Sequence, residues 1–243
     1  MKKIALIAIA MLLALSPAMA QEKFDYKLIK EIVDNEKTYF NDILKLYLAD
    51  DALLRTDDVA LIYYGQTYLP TYKGGNDINE KALKNYVAEN NQLKIYETSK
   101  KILSYNPVSL NALFYAWLSS QQLLKPEKET KSYVNKYLKI LEMITTMGDG
   151  KSSKSPFRVI NPDDQEHVMY GILDIENVIS RSLDTKTLCN IIRVTPSKKF
   201  TSGTMYFNNF FSFCLRTRSR IFSQSNCCSN RHEPLIRCAV RSS

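Results

Sequence analysis

Histidine is almost missing from this chain. Of 243 residues only His167 and His232 carry an imidazole, which leaves little from which to build a histidine-rich metal site or a histidine-activated nucleophile. Cysteine is as scarce until the end: between residues 21 and 200 Cys189 stands alone, so no disulfide forms within that stretch. Lying in a β-prone run beside Leu188 and Ile191, Cys189 reads as a small buried hydrophobe. A phosphate-binding loop is missing too. Gly150-Lys151-Ser152 echoes the end of one, but the glycine required five residues earlier is Thr145, and a helical pattern rather than a strand precedes it. Neither a nucleotide nor any other cofactor is expected.

Long apolar runs are lacking everywhere except at the beginning. Lys2 and Lys3 precede an apolar stretch over residues 4–15, and Ala18-Met19-Ala20 follows. This is the pattern of a bacterial secretory signal peptide over residues 1–20, cut between Ala20 and Gln21. The run is shorter than the roughly 20 residues of a membrane-spanning helix, and no Cys stands at the cut to take a lipid. The expectation is an exported protein, periplasmic or extracellular, with no membrane insertion after cleavage.

A basic stripe is also missing, although the formal net charge is +8. Setting aside Lys2, Lys3 and the six Arg and single Glu233 of residues 201–243 leaves 25 basic and 24 acidic residues in positions 21–200. A nearly neutral body offers no footprint for nucleic acid. The same division isolates residues 209–243, which use Arg without Lys and hold Cys214, Cys227, Cys228 and Cys238 without helical or alternating periodicity. The cysteines fit no paired metal-site spacing. A disulfide module and a basic interaction tail are possible readings, but a disordered or frame-shifted, non-native ending accounts best for the abrupt change.

What is present is helical punctuation. Asp25 caps a helix over 26–33, and Phe40, Ile43, Leu44 and Tyr47 share one face of a helix over 39–48. Thr56 or Asp57 caps a third helix, running through Val59, Ile62, Tyr63 and Gln66 toward Pro70. A long helical pattern over 80–104 breaks near Asn90-Asn91. After Asn106-Pro107 a further helix is expected to bury Leu110, Leu113, Phe114, Trp117 and Leu118, and another spans 127–147. Residues 89–122 partly match a tetratricopeptide hairpin, with Trp117 where a small residue belongs.

From Gly148 the pattern changes to a turn-rich connector, a β-prone run at 157–160, a short helix to about Tyr170, and β-type runs at 172–180, 188–194 and 200–207. The fold class is therefore α+β: a helical region over 21–147 and a small, mostly antiparallel sheet over 148–208 packed on it.

The order of short motifs resembles a known family. Tyr63-Tyr64-Gly65, Tyr72 after Pro70, Asn106-Pro107 with Ser109-Leu110, Gly148-Asp149-Gly150-Lys151-Ser152 with Phe157-Arg158-Val159-Ile160, and Met205-Tyr206-Phe207 occur in this order in the bacterial secreted domain-of-unknown-function family 4919 (DUF4919). The similarity runs from about Phe24 to Asn208. It implies a small exported protein and carries over no activity, ligand or catalytic residue.

Candidate chemistry is sparse. The acidic pairs Asp50-Asp51, Asp57-Asp58 and Asp163-Asp164 lie where helices start or stop, where carboxylates cap free N–H groups. His167 reads as an ordinary half-exposed residue. Tyrosine is the one unusual resource, at 15 residues. Tyr64, Tyr68 and Tyr72 would share a face if their helix persisted, giving either a binding surface or, more commonly, a seam between helices. The leading expectation is a non-enzymatic binding or envelope-associated protein that meets a protein, peptide or glycan through a helical groove or this Tyr-rich face. The alternative is a secreted hydrolase using paired carboxylates.

Overall fold

Asp25 caps the first helix as its position foretells, whereas Arg55, and neither Thr56 nor Asp57, stands at the cap of the third. The structure, a computed structural model, describes residues 25–208. The expected signal segment and its expected cleavage point between Ala20 and Gln21 lie outside the described residues, as does the tail from Asn209 with its four cysteines and His232. Asp25 accepts hydrogen bonds from the N–H groups of Lys27 and Leu28 and opens α1 (Tyr26–Asn35). Helix α2 (Lys37–Leu48) turns Phe40, Ile43 and Tyr47 inward. Helix α3 (Thr56–Gly65) begins where the Asp58 carboxylate closes back on the Arg55 N–H at 3.0 Å. From Asp58 onward every residue of α3 is buried, the mark of a central helix. It ends at Gly65, where an added Cβ would stand 2.8 Å from the Phe40 ring.

The long helical pattern that follows divides into α4 (Ile78–Ala88) and α5 (Gln92–Leu103). Asn90 turns the chain at φ +54, and Asn91 accepts from Lys94 N to start the second piece. Ser109 caps α6 (Leu110–Gln122), and Pro126 precedes α7 (Glu127–Thr146). Helix α6 lies between α5 and α7 and buries Leu110, Ala112, Leu113, Ala116, Ser119 and Ser120. That small-residue face corrects the expectation for Trp117, Phe114 and Leu118, which are only half-buried. Close approach of the neighbouring helices needs the small side chains, so the Trp117 indole is left at the edge against Phe114, with ring centroids 5.9 Å apart.

Four strands complete the fold: β1 (Phe157–Arg158), β2 (Val178–Asp184), β3 (Cys189–Val194) and β4 (Thr204–Asn208), in the order β1-β4-β3-β2. β1 runs parallel to β4, and the other two pairings are antiparallel. β2 starts later than the β-prone run at 172 suggests. The chain from α8 (Asp164–Glu166) continues as a π-helical turn (His167–Ile172), and its last hydrogen bonds, Leu173 N to Val168 O and Ile175 N to Met169 O, keep it wound. Cys189 is buried, and β4 points Met205 and Phe207 inward.

One continuous core joins helices and sheet, with Tyr47, Ile62, Tyr63, Tyr64, Ile140 and Leu141 on one side and Phe157, Ile192, Val194, Met205 and Phe207 on the other. The connector after α7 is locked to this core at Gly150. Its φ is +64, its N–H donates to Ser155 O, its carbonyl accepts from Tyr206 N, and an added Cβ would fall 2.1 Å from the Phe157 ring. The glycine that echoed a phosphate loop is thus a backbone necessity. Among the described residues no helix is long and apolar enough to cross a membrane.

Candidate acidic cleft

Three segments far apart in sequence meet at a narrow cleft: the start of α4, the connector of residues 105–109, and the turn of residues 160–164. Asp77 caps α4 by accepting from Asn79 N at 2.8 Å, and its other oxygen accepts from the Tyr105 hydroxyl at 2.6 Å. Glu80, in the first turn of α4, is buried. Its Oε1 accepts from Ser109 Oγ at 2.6 Å and its Oε2 from Asn111 Nδ2 at 3.5 Å. The Tyr72 hydroxyl donates to Ile160 O at 2.8 Å. These groups, with Asn106 and Asp164, line an interior of about 10 Å³, room for one water-sized group.

Asp164, like Asp77, is only 3% exposed. Its Oδ2 accepts from the Tyr63 hydroxyl at 2.6 Å and from Asn161 N at 3.1 Å. The Tyr63 oxygen in turn accepts from Ile160 N at 3.2 Å, so one phenol ties α3 to the turn. No cation is hydrogen-bonded to Asp164, and burial pushes its carboxyl up to about 7 despite these two hydrogen bonds, with Glu80 and Asp163 adding to the rise. Burial also raises Glu80, while the Ser109 hydrogen bond pulls it back in part. The cleft therefore stores two carboxyls whose neutral forms persist to higher pH than usual.

A polar chain backs the cleft. Asn111 Nδ2 also approaches Asp163 Oδ2 at 3.4 Å, and Lys84 pairs with the same oxygen at 2.6 Å. His167 Nε2 lies 2.8 Å from Asn111 Oδ1 and its Nδ1 3.1 Å from the Tyr137 hydroxyl. This network assigns the proton to Nε2, with Nδ1 accepting from Tyr137. Burial lowers His167 to about 4, so at neutral pH it is an uncharged strut.

The hydroxyl donors of the cleft are all in use. The Tyr72, Tyr105 and Ser109 hydroxyls are already committed to Ile160 O, Asp77 and Glu80. Asn106 Oδ1 is buried with no hydrogen-bond partner. At the rim the Lys73 ammonium stands 5.5 Å from the centre of the Tyr105 ring. Among the described residues no group of three or more His, Cys, Asp or Glu is disposed to hold a metal ion.

The Tyr residues named from the sequence are not gathered into an exposed stripe. Tyr64 is fully buried, donates to Arg158 O at 3.1 Å and meets the rings of Tyr26 and Tyr63 edge-on, so its ring faces no solvent. Tyr68 and Tyr72 are half-buried, with hydroxyls turned to Tyr26 O and Ile160 O. The shared face fails because α3 ends at Gly65; a 3-10 turn (Gln66–Tyr68) and extended Leu69 follow. Of the three, only Tyr72 reaches the cleft.

Of the acidic pairs, Asp58 and Asp51 bind backbone N–H groups as expected. Asp50 instead pairs with Lys139 at 2.9 Å, and Asp164 is held from a distant helix. Asp77, Glu80 and Asn106 carried no signal beyond ordinary capping and turn chemistry.

A protein-family model, Domain of unknown function (DUF4919), matches residues 27–213, starting after Phe24 and running past Asn208. No curated protein and no solved structure matches the chain.

Proposed function

The chain belongs to the family Domain of unknown function (DUF4919), and from that premise, which brings no activity with it, we propose an exported, non-enzymatic binding protein that recognises a peptide or protein at the acidic cleft. One observation carries this reading: polar side chains from three separate segments converge on a water-sized space, and one of the residues lining it, Asn106, has a buried Oδ1 with no partner. Buried polar groups are ordinarily paired, so an unpaired acceptor on a residue lining the cleft, which also has the exposed Lys73 in its wall, marks a place for an incoming donor. A glycan is a poorer fit than a peptide, since a sugar ring far exceeds the interior. Export is supported by the pattern over residues 1–20, and a mature mass beginning at Gln21 tests it.

Peptide-array binding to the mature chain tests the site. Asn106→Leu should abolish the selected interactions, while Lys128→Gln, on the distant α7, leaves them intact. Peptide binding indifferent to both substitutions would refute the assignment.

A secreted hydrolase remains the second reading, because Glu80 and Asp164 line one cleft and both are shifted upward, the pattern of an acid–base pair. Two features oppose it: both Glu80 oxygens are held by donors, and the interior leaves no room for a substrate beside a water. Turnover of glycoside or ester substrates lost in both Glu80→Gln and Asp164→Asn would reverse the order of the two readings.

A further inference from the structure

Size, polarity and charge of the cleft together restrict what can enter it. An interior of about 10 Å³ accepts one heavy atom with its hydrogens and no ring or planar fork. Asn106, which lines this interior, has a buried Oδ1 with no hydrogen-bond partner, and both hydrogen bonds of the 97%-buried Asp164 go to Oδ2, so that among the described residues no donor reaches its Oδ1. The Glu80 and Asp77 carboxylates stand beside them. Every hydroxyl of the wall is spent on another protein acceptor. The unmet need is for a small group with several N–H donors, positive charge and no acceptor of its own.

A hydroxyl brings one donor and an acceptor that would face these oxygens. A guanidinium brings donors on a fork too wide for the space. An alkylammonium brings three donors and a full charge on one atom, followed by a slender aliphatic stem. The rim provides for such a group as well. Tyr72 and Tyr105 offer ring surface to the stem, and the chain's own Lys73 ammonium already lies over the Tyr105 ring at 5.5 Å, an attraction that grows as water is excluded.

We infer that the cleft is a receptor for a primary alkylammonium group, presented either by a lysyl side chain of a partner peptide or by a free aliphatic amine. The inference rests on the cleft being the recognition site. Lys73 is then the resident competitor at the mouth, which an incoming ammonium displaces from the Tyr105 ring.

The test is titration of the mature chain at pH 8 with n-butylammonium and with Nα-acetyl-lysine methylamide, followed by NMR of the Tyr72 and Tyr105 rings. The comparison ligands are n-butanol and guanidinium. Both amines should give saturable shifts at these two tyrosines, with the comparison ligands at least about tenfold weaker, as loss of a charged hydrogen bond implies. Tighter binding of the lysine amide identifies a peptide source, and equal binding shows that the ammonium alone is read; either supports the inference.

Asp164→Asn, which can still accept from Tyr63 and Asn161, should weaken both amines by about tenfold or more. Lys73→Gln, at an exposed position, should tighten them about two- to fivefold by removing the competitor. Equal binding of n-butanol, or amine shifts confined to other parts of the surface, would overturn the inference. Silence from both amines in a chain whose array peptides still depend on Asn106 would overturn it while leaving the binding site in place. Silence from amines and peptides alike would reduce the cleft to a buried water and remove both readings.

Discussion

Replacing Asp164 by Asn should stabilise this protein at alkaline pH, contrary to the usual result of removing a buried, hydrogen-bonded carboxylate. The carboxyl lies in the core with no cation hydrogen-bonded to it, and burial moves it from about 4 to about 7. Because the folded value exceeds the unfolded one, the folded state holds a proton that the unfolded chain has released. This contribution to stability is fully present below pH 4 and is lost as pH rises toward 7. The span corresponds to about 4 kcal/mol, a large part of a typical stability of about 5 to 15 kcal/mol.

His167 acts with the opposite sign. Its value falls from 6.5 to about 4, so its contribution is present above pH 6.5 and lost as pH falls toward 4, by up to about 3 kcal/mol before discounting for its partial exposure. Between roughly pH 4 and 6.5 the two groups nearly cancel. A pH profile of the unmodified protein would hide both. The difference between Asp164→Asn and the unmodified chain isolates one of them.

Asn can keep an acceptor toward Tyr63 and Asn161 and carries no charge at any pH. Urea unfolding of both proteins from pH 4 to 8.5 should show the variant gaining about 4 kcal/mol relative to the parent over that range. Glu80, also raised by burial, adds a slope of the same sign as Asp164 to both proteins and drops out of the difference to first order. A difference that stays constant within about 1 kcal/mol, or a variant less stable at pH 8 than at pH 4 relative to the parent, would show that Asp164 is ionised comfortably in its place and that the desolvation reasoning fails.

Other expectations follow from single contacts. Tyr63→Phe removes the oxygen that bridges Ile160 N and Asp164 and takes from Asp164 the shorter of its two hydrogen bonds, and should cost about 1 to 3 kcal/mol in urea unfolding; a neutral result would deny the phenol its bridging role. Gly150→Ala combines a φ of +64 with a Cβ 2.1 Å from Phe157, so a loss of at least about 2 kcal/mol is expected; an unchanged melting temperature would refute the packing of that turn against the sheet. Leu113→Ala, fully buried, should cost about 2 to 5 kcal/mol and half-buried Trp117→Ala only about 1 to 2, and a reversed order would place the indole inside after all.

Local grammar made much of the fold readable. Asp25 can satisfy N–H groups two or three residues ahead whatever the rest of the chain does, so the helix start it marks was visible in the sequence, while the caps at Asn91 and Ser109 came with the structure. The break at Asn90-Asn91 follows from the ease with which Asn adopts positive φ, and the β-type run at 200–207 marked β4, which the structure sets at Thr204–Asn208. The order of these periods, helical until Gly148 and strand-like afterwards, was enough for the α+β class.

Trp117 and the Tyr64, Tyr68 and Tyr72 set mark where that grammar stops. Helical spacing says which side chains share a face only while the helix lasts, and α3 ends before Tyr68. It also does not say whether a neighbouring helix comes close enough to prefer Ala116 over an indole.

The cleft was invisible for a deeper reason. Tyr63 and Asp164 are 101 residues apart, and Glu80 and Ser109 are 29 apart. What raises the Asp164 carboxyl is above all the water it has lost, and desolvation is a property of the whole assembly that no stretch of sequence holds by itself.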